Sequence, residues 1–529
     1  MATHSIGTDI MEKLSRPTRE WFNGAFPAPT SAQLGAWSSI SSGSHTLVVA
    51  PTGSGKTLSA FLWALDELAQ LGADSTRKTK VLYISPLKAL AVDVERNLRA
   101  PLVGITQTAK RLGLNPPEIS VGVRSGDTSA ADRRTMIKTP PDILITTPES
   151  LFLMLTSAAR DILAEVDTVI VDEVHAVAGT KRGAHLAVSL ERLDAMLDKP
   201  AQRIGLSATV RPHEEVGRFL AGAAPIEIVA PPAPKTFDLT VQVPVEDMTE
   251  LGVSDPNADT SAAPPTQGSI WPHVEEKMVD LILEHKSCIV FANSRRLAER
   301  LTARLNEVYA ERIGGGVDTE HKPPSQVGTA SDVNHGADPL LARAHHGSVS
   351  KDQRALIEDD LKTGRLRCVV ATSSLELGID MGAVDLVVQV EAPPSVASGL
   401  QRVGRAGHQV GEISKGVLFP KHRTDLIHCA VTVERMTSGK IEALFVPANP
   451  LDVLAQQTVA ACALEPIDAE DWFESVRRTG SFATLPRSAY ESTLDLLSGR
   501  YPSDEFAELR PRLVWDRDAN TLTGRPGSQ

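Results

Sequence analysis

The sequence predicts an α/β protein with two tandem parallel sheets, and two observations support this fold class. Short apolar runs rich in Val and Ile alternate with segments of helical periodicity along most of the 529 residues. Small polar residues, glycines and carboxylates directly follow many of these runs. In a doubly wound sheet, ligands bind outside the carboxyl ends of the strands, so these residues lie where a ligand site is expected.

The composition, with 42% hydrophobic and 23% charged residues, is typical of a soluble globular protein. No stretch is long and apolar enough to span a membrane, and no secretory signal is visible, so we expect a cytoplasmic protein. The four cysteines form no C-x-x-C pair, which excludes a zinc ribbon and argues against a cysteine-ligated iron–sulfur cluster. A net charge of −12 is not that of a protein that binds nucleic acid by bulk charge, so any polyanion site must be a local groove.

A glycine-rich loop, APTGSGKT at 50–57, follows a predicted strand at 46–49 and precedes a predicted helix at 58–71. This is the context of a phosphate-binding loop, in which backbone N–H groups and the helix N-terminus point at the phosphates. Lys56 would reach the β- and γ-phosphates, and the Thr57 hydroxyl would ligate Mg²⁺. Ala50 stands where the usual pattern has its first glycine. The predicted nucleotide-binding residues of the loop are Pro51, Thr52, Gly53, Ser54, Gly55, Lys56 and Thr57.

Gln33 precedes this loop and is a candidate for adenine recognition. A glutamine amide carries one donor and one acceptor group, which match adenine N6–H and N7. The alternative is a surface glutamine on a helix.

Further predicted strands at 81–85, 119–124 and 143–146 end in prolines, Ser and Thr. Hydroxyls and helix N-termini at such strand ends suit phosphate oxygens. Ordinary helix capping explains the same residues, and both roles can hold at once.

Two adjacent carboxylates, Asp172 and Glu173, end a predicted strand at 169–171. Burying them without a cation is costly, so we expect Mg²⁺ near Asp172 and Glu173 as the base for an attacking water. A hydroxyl-rich loop at 207–209 could hydrogen-bond His175 and sense the nucleotide.

A second α/β unit begins near residue 274, after a linker with some strand content. Its predicted strands are 288–291, 368–371, 386–390 and 416–419. A stretch at 314–338, rich in Gly, Pro, Ser and Thr, predicts a disordered insertion. Arg402 and Arg405, three residues apart on one predicted helix face, could reach a phosphate as an arginine finger does. The alternative is a solvated basic helix.

The order of these motifs resembles superfamily 2 helicases with a DEVH box. Four details are similar to the large helicase-related family: SPLKAL at 85–90, SGDT at 125–128, HHGS at 345–348 and QRVGRAGH at 401–408. The full ordered set is Gln33, 50–57, 86–90, 146–150, 172–175, 207–209, 291–295, 371–380 and 401–408.

The resemblance implies ATP-dependent movement, 3′ to 5′, on single-stranded DNA, with unwinding of DNA or RNA:DNA duplexes in DNA repair. It implies ATP and Mg²⁺ as cofactors. His408 stands where DEAD-box relatives have a third arginine, which leaves Arg405 as the stronger finger candidate. The implied roles are catalytic for Lys56, Asp172, Glu173, Arg402 and Arg405; nucleotide-binding also for Gly378 and Asp380; metal-binding for Thr57 and Asp172; nucleic-acid-binding for Pro86, Lys88, Thr147, Ser294 and Thr372; and coupling for His175, Ser207 and Thr209.

The predicted organisation is a RecA-like domain at 1–235, a linker at 236–272, a second RecA-like domain at 273–440 and a partial winged-helix domain at 441–529. Family members continue into further C-terminal domains, so we expect a truncated chain, acting as a monomer. Three alternatives remain open: a local RNA remodeller that does not translocate, an ATP-gated nucleic-acid clamp, and a P-loop ATPase independent of nucleic acid.

Overall fold

The computed structural model describes residues 10–51, 53–72, 77–232, 235–248, 270–314, 340–377, 384–407, 412–500 and 510–528. The chain forms two compact units, one of Met1–Pro232 with Ala443–Gln529 and the other of Ala233–Glu442. Within the described residues, no helix has the length and apolar character needed to cross a membrane.

A seven-stranded parallel sheet forms the centre of the first unit, and its strand at 226–229 was not among those predicted. Its spatial order is β3-β4-β2-β5-β6-β1-β7. The strands are β1 His45–Val49, β2 Val81–Ile84, β3 Val121–Arg124, β4 Ile143–Thr146, β5 Thr168–Val171, β6 Gln202–Ser207 and β7 Ile226–Val229.

Helices cover both faces of this sheet, which explains why its strands are apolar at successive positions. Leu82 and Val169 pack into the core on one face, whereas Tyr83 and Ile170 pack into the core on the other. The helices are α1 Arg16–Ala25, α2 Ser31–Ser41, α3 Lys56–Gln70, α4 Lys88–Arg111, α5 Ala130–Lys138, α6 Pro148–Leu155, α7 Lys181–Asp194 and α8 His213–Ala221.

The second unit contains a six-stranded parallel sheet of order β10-β11-β9-β12-β13-β8. Its strands are β8 Phe237–Val241, β9 Cys288–Phe291, β10 Ala342–His345, β11 Cys368–Ala371, β12 Leu386–Val390 and β13 Ser414–Phe419, and its helices are α9 Trp271–Glu284, α10 Arg295–Arg312, α11 Lys351–Lys362, α12 Val396–Val403 and α13 Arg423–Ser438.

Two strands of this sheet differ from expectation. β8 lies within the predicted linker at 236–272, yet it pairs with β13 and so belongs to the sheet. β10 was not predicted, because Arg343 interrupts its apolar character. The predicted insertion at 314–338 falls almost wholly outside the described residues.

The C-terminal region adds three helices and a small antiparallel sheet to the first unit. The helices are α14 Leu451–Ala461, α15 Ala469–Arg477 and α16 Arg487–Ser498, and the strands are β14 Ile467–Asp468, β15 Leu513–Asp516 and β16 Thr521–Gly524. Ala184 and Val188 of α7 lie in one apolar core with Leu454 and Phe473 of this region. The C-terminal region is therefore packed directly on the first sheet domain.

Candidate active site

The phosphate-binding loop lies between β1 and α3, and its shape depends on two glycines. Gly53 and Gly55 have φ of +84° and +75°, in the left-handed region that favours glycine. The Ser54 hydroxyl donates to the Pro51 carbonyl oxygen at 2.7 Å, which closes the turn. Thr52 lies outside the described residues. The loop therefore has the backbone turn that a phosphate cradle requires.

Lys56 and Thr57 begin α3 directly after the loop. The Lys56 ammonium donates to the Ser207 carbonyl oxygen over a long 3.5 Å. Burial raises the pKa of Asp172, and the positive charge of Lys56 offsets part of that rise. The loop lysine and the acidic residue after β5 therefore lie close enough to interact at the same edge of the sheet.

Gln33 is buried rather than at the surface, so the surface alternative is wrong. Its side-chain oxygen accepts from the Thr30 backbone N–H at 2.9 Å, while the Thr30 hydroxyl accepts from the Gln33 N–H, forming a capping box at the start of α2. The Gln33 amide also donates to the Gly55 carbonyl oxygen at 3.4 Å. Gln33 thus ties α2 to the phosphate loop, and adenine recognition stays a prediction.

Asp172 is buried directly after β5, and two donors orient its carboxylate. The Tyr83 hydroxyl donates to Oδ2, and the Glu173 backbone N–H donates to Oδ1 at 2.8 Å. Burial, together with the charge of Glu173, raises the pKa of Asp172 to about 7. The residues around Asp172 therefore supply too little positive charge to stabilise its ionised form.

Sequence reasoning missed Tyr83, which lies on β2 and is fully buried. Its ring stacks on Phe61 of α3 with centroids 5.0 Å apart, so it connects the helix after the phosphate loop to Asp172. A single hydroxyl within the otherwise aliphatic run at 81–84 could have drawn attention to this position.

Glu173 adopts a left-handed backbone conformation with φ of +45°, which is strained for a residue with a side chain. Its Oε2 lies 3.3 Å from His175 Nε2. His175 Nδ1 accepts from the Ala208 N–H at 3.1 Å, which leaves the Nε2 proton of the neutral ring facing Glu173. The acidic pair is thus connected to the loop after β6.

The contact between His175 and the loop at 207–209 is present in the structure. The Ser207 hydroxyl lies 3.4 Å from His175 Nδ1. Thr209 is exposed. Nucleotide sensing through these residues stays a prediction.

The residues around Asp172 fit a bound Mg²⁺. A buried carboxylate with a raised pKa is an oxygen ligand that gains from a divalent cation, and a hydroxyl at Thr57 is chemically suited as a second ligand. The described residues contain no group of three or more His, Cys, Asp or Glu side chains that could hold a metal by themselves.

In the second unit, Arg402 and Arg405 both reach Glu376 but do not share a helix face as predicted. α12 ends at Val403, so Arg405 lies in the turn that follows. Arg402 Nε donates to the Glu376 carboxylate at 2.9 Å, and Arg405 Nη2 donates to the Glu376 carbonyl oxygen at 3.1 Å. Gly378, Asp380 and His408 lie outside the described residues.

Arg402 is buried in a polar network, which excludes the alternative of a solvated basic helix at this position. Its Nη1 donates to Asn293 Oδ1 at 2.9 Å and to Gln389 Oε1 at 3.0 Å, and the guanidinium lies over the Phe291 ring. The Arg402 guanidinium therefore makes its hydrogen bonds to side chains of its own unit.

The predicted nucleic-acid residues lie at strand ends and helix starts. Pro86 is buried after β2, Lys88 begins α4 and Thr372 follows β11. The Thr147 and Ser294 hydroxyls cap α6 and α10 by accepting from backbone N–H groups at 3.4 and 3.2 Å. Helix capping is thus present at two positions, and contact with nucleic acid stays a prediction for all five.

Three family profiles match successive parts of this chain. Residues 30–216 match the DEAD/DEAH box helicase profile, and residues 332–409 match the helicase conserved C-terminal domain. Residues 434–529 match the winged helix domain of the large helicase-related protein, which separates this chain from other helicases with the same two-sheet core. The chain belongs to the large helicase-related family.

Curated relatives of this large helicase-related chain are bacterial and archaeal. The chain is 70% identical over 530 residues to "Lhr helicase/ probable uracil glycosylase" of Mycolicibacterium smegmatis, covering 99% of this chain and 34% of that protein. It is 54% identical to "Lhr helicase/uracil glycosylase" of Escherichia coli, covering 98% of this chain and 34% of that protein. The chain thus spans about a third of the length of these relatives.

A solved structure of Mycobacterium smegmatis helicase Lhr bound to ssDNA and AMP-PNP is similar to this large helicase-related chain. The TM-score is 0.85 and the identity 68%, covering 98% of this chain and 61% of the other. The DUF1998 helicase MrfA bound to DNA, at 23% identity and a TM-score of 0.67, shares the fold.

Proposed function

We propose that the chain is an ATP-dependent translocase that moves 3′ to 5′ on single-stranded DNA and unwinds DNA or RNA:DNA duplexes in DNA repair. The observation that carries this proposal is the grouping of Lys56 with the buried Asp172–Glu173 pair at one edge of the first sheet. A lysine on a glycine loop, opposite paired carboxylates, is suited to hydrolysis of a nucleoside triphosphate.

The chemistry follows from the residues at this edge. The loop N–H groups and Lys56 would bind the β- and γ-phosphates, and Glu173 would accept a proton from the water that attacks the γ-phosphorus. Thr57 and Asp172 would hold Mg²⁺, which supplies positive charge at the phosphates when bound. The His175 contact to Glu173 would transmit the state of the site to the loop at 207–209.

Of the two arginines, Arg405 is the better candidate for contact with the γ-phosphate. Arg402 already donates hydrogen bonds to the side chains of Glu376, Asn293 and Gln389. We therefore assign Arg402 to positioning the segment that carries Arg405.

The proposed partner is single-stranded DNA, bound by a chain that acts as a cytoplasmic monomer. The M. smegmatis relative, at 68% identity, has a structure with ssDNA and AMP-PNP, which supports both DNA and ATP as ligands of this chain. Strand-end hydroxyls and helix N-termini, as at Ser294, suit a backbone grip that does not depend on base sequence.

The test is steady-state ATP hydrolysis without nucleic acid and with single-stranded DNA, single-stranded RNA or duplex. We expect strong stimulation by single-stranded DNA, lost in Glu173→Gln, because the amide cannot accept the proton. Glu227→Gln, which changes an exposed glutamate on β7 of the same unit, is the matched control and should hydrolyse ATP like the parent. Hydrolysis that is indifferent to nucleic acid would contradict the proposal.

A strand-displacement assay on a 3′-tailed duplex then tests movement. The proposal expects displacement that requires ATP and is lost in Glu173→Gln. ATP-dependent binding of DNA without strand displacement would instead support an ATP-gated clamp. ATP hydrolysis whose stimulation does not rise with the length of the single strand would support a local RNA remodeller.

A further inference from the structure

Tyr83 is fully buried on β2, and the one hydrogen bond of its hydroxyl within the described residues goes to Asp172 Oδ2. The rest of this strand at 81–84 is aliphatic. A phenylalanine at this position would fill the core and pack on Phe61 in the same way. A buried hydroxyl costs free energy unless it finds a partner, so the presence of a tyrosine is explained by its bond to Asp172.

The Asp172 carboxylate is anchored at both of its oxygens. The Glu173 backbone N–H donates to Oδ1 at 2.8 Å, and the Tyr83 hydroxyl donates to Oδ2. The terminal torsion of an aspartate side chain has broad minima, so a single hydrogen bond sets the direction of the carboxylate only loosely. Each oxygen keeps a second lone pair beside the one that accepts. With both donors in place, these remaining lone pairs have a fixed direction.

The Tyr83 ring is itself held by the helix that follows the phosphate loop. It stacks on Phe61 of α3, with ring centroids 5.0 Å apart and ring planes 17° apart, and both rings are fully buried. Phe61 lies four residues after Thr57, so the two residues share one face of α3. The stacked rings therefore connect Asp172 to the helix that carries Thr57, and these are the two residues to which we assign Mg²⁺.

We propose that Tyr83 is a positioning residue for ATP hydrolysis, whose hydroxyl fixes the Asp172 carboxylate in the orientation that holds Mg²⁺. The inference rests on the proposed function, because it assigns a further residue to the same site. Tyr83 is fully buried, so it acts through Asp172 and not by touching the nucleotide. Groups that hydrogen-bond to a metal ligand orient that ligand, and their loss typically weakens metal affinity or activity about 10- to 100-fold.

The experiment measures the affinity of the chain for a fluorescent N-methylanthraniloyl ADP, with saturating Mg²⁺ and with EDTA. The ratio of the two dissociation constants reports how strongly the ion supports nucleotide binding, without hydrolysis. Tyr83→Phe is the informative variant, because it removes the hydroxyl and keeps the ring that stacks on Phe61. Tyr490→Phe is the matched control, since Tyr490 is buried in the C-terminal region, lies 4.8 Å from the Phe473 ring and donates to the Ala469 carbonyl oxygen at 2.6 Å. Thermal unfolding confirms that each variant is folded.

We expect Tyr83→Phe to bind this ADP about tenfold more weakly than the parent in Mg²⁺ and equally well in EDTA. Tyr490→Phe should match the parent in both conditions. ATP hydrolysis by Tyr83→Phe should need more Mg²⁺ to reach half of its maximal rate, and the rate should recover as Mg²⁺ is raised. A ratio for Tyr83→Phe equal to that of Tyr490→Phe would overturn the inference. Equal weakening of Tyr83→Phe in Mg²⁺ and in EDTA would also overturn it, because the hydroxyl would then act on the phosphate loop through packing.

The Asp172→Asn background provides a second measurement. The neutral amide offers a cation no negative charge, so the Mg²⁺ dependence of ADP binding should already be small in Asp172→Asn. Adding Tyr83→Phe should reduce it no further, because the hydroxyl acts through the carboxylate that is missing. A further reduction in the double variant would show that the hydroxyl acts through another group, and this result would overturn the inference.

The ADP-binding measurement is separable from the test of the motor. If single-stranded DNA fails to stimulate hydrolysis by the parent, the proposed function fails, but a loss of Mg²⁺-dependent ADP affinity in Tyr83→Phe would still support the positioning role. If stimulation is present and the ratio of dissociation constants is unchanged in Tyr83→Phe, the positioning role is refuted and the motor stands.

Discussion

Replacing Asp172 by Asn should stabilise the protein in the absence of nucleotide. Burial and the adjacent Glu173 charge raise the pKa of Asp172 from 3.8 to about 7. One pKa unit corresponds to about 1.4 kcal/mol, so ionising this carboxyl in the folded protein costs about 4 kcal/mol. The neutral amide avoids this cost and keeps an oxygen for the Glu173 N–H.

The stabilisation by Asp172→Asn should depend on pH, and the raised pKa of Asp172 fixes the direction of that dependence. An acid whose pKa is raised by folding binds more protons in the folded state, so it destabilises the parent as the pH rises from about 4 to 7. At pH 5 less than half of the cost is present, and at pH 8 all of it is. The advantage of Asp172→Asn should therefore grow between pH 5 and pH 8 by about 2 to 3 kcal/mol.

The assay is urea unfolding at pH 5 and pH 8, with EDTA and without nucleotide. Asp198→Asn, an exposed aspartate in the same unit, is the control and should match the parent at both pH values. Two results would refute the reasoning: an Asp172→Asn variant no more stable than the parent at pH 8, or an advantage of equal size at both pH values. ATP hydrolysis should be lost, which would show that stability is sacrificed for the site.

Two further substitutions test the buried ion pairs of each unit. Arg402→Ala should destabilise the second unit by about 3 kcal/mol, because it leaves the Glu376 carboxylate without its ion pair; an unchanged melting temperature would contradict this. Glu191→Gln should destabilise the first unit by a smaller amount, about 2 kcal/mol, because the buried Arg203 loses the Glu191 charge at 2.9 Å but keeps its ion pair with Asp194; urea unfolding with an unchanged midpoint would contradict the role of this charge.

Most strands were predictable because their residues are apolar at successive positions. A parallel sheet covered by helices buries both faces of each strand, and this leaves a run such as 143–145 without polar residues. β10 was not predicted because Arg343, whose guanidinium pairs with Asp360 at 3.5 Å, places a charged residue within an otherwise buried strand. β8 was not predicted because it is an edge strand whose residues alternate between half-buried and exposed.

The phosphate loop was predictable because its chemistry is local. Gly53 and Gly55 are required by the backbone of one turn, and Lys56 follows them directly. The side-chain partners of the site were not predictable in the same way. Tyr83 bonds to Asp172 across 89 residues, and Arg402 bonds to Asn293 across 109 residues. The hydroxyl of Tyr83 is distinctive within its aliphatic run, but the residues around it do not indicate that Asp172 is its partner.

The C-terminal region shows the same division. Its helices and hairpin follow from local periodicity and the turn at 516–520. The Arg478 guanidinium, by contrast, donates to Glu191 of α7, a contact between residues far apart in the chain. Only the packing of α7 against this region identifies Arg478 as a structural residue.

The sequence by itself determined the two parallel sheets, the phosphate loop and the acidic pair, because strand burial, glycine φ angles and adjacent carboxylates are properties of short segments. The tertiary structure decided the raised pKa of Asp172 and the hydrogen bonds of the buried Arg402. Charge and hydrogen-bonding state depend on desolvation and on partners brought together from distant parts of the chain, and these arise only when the chain folds.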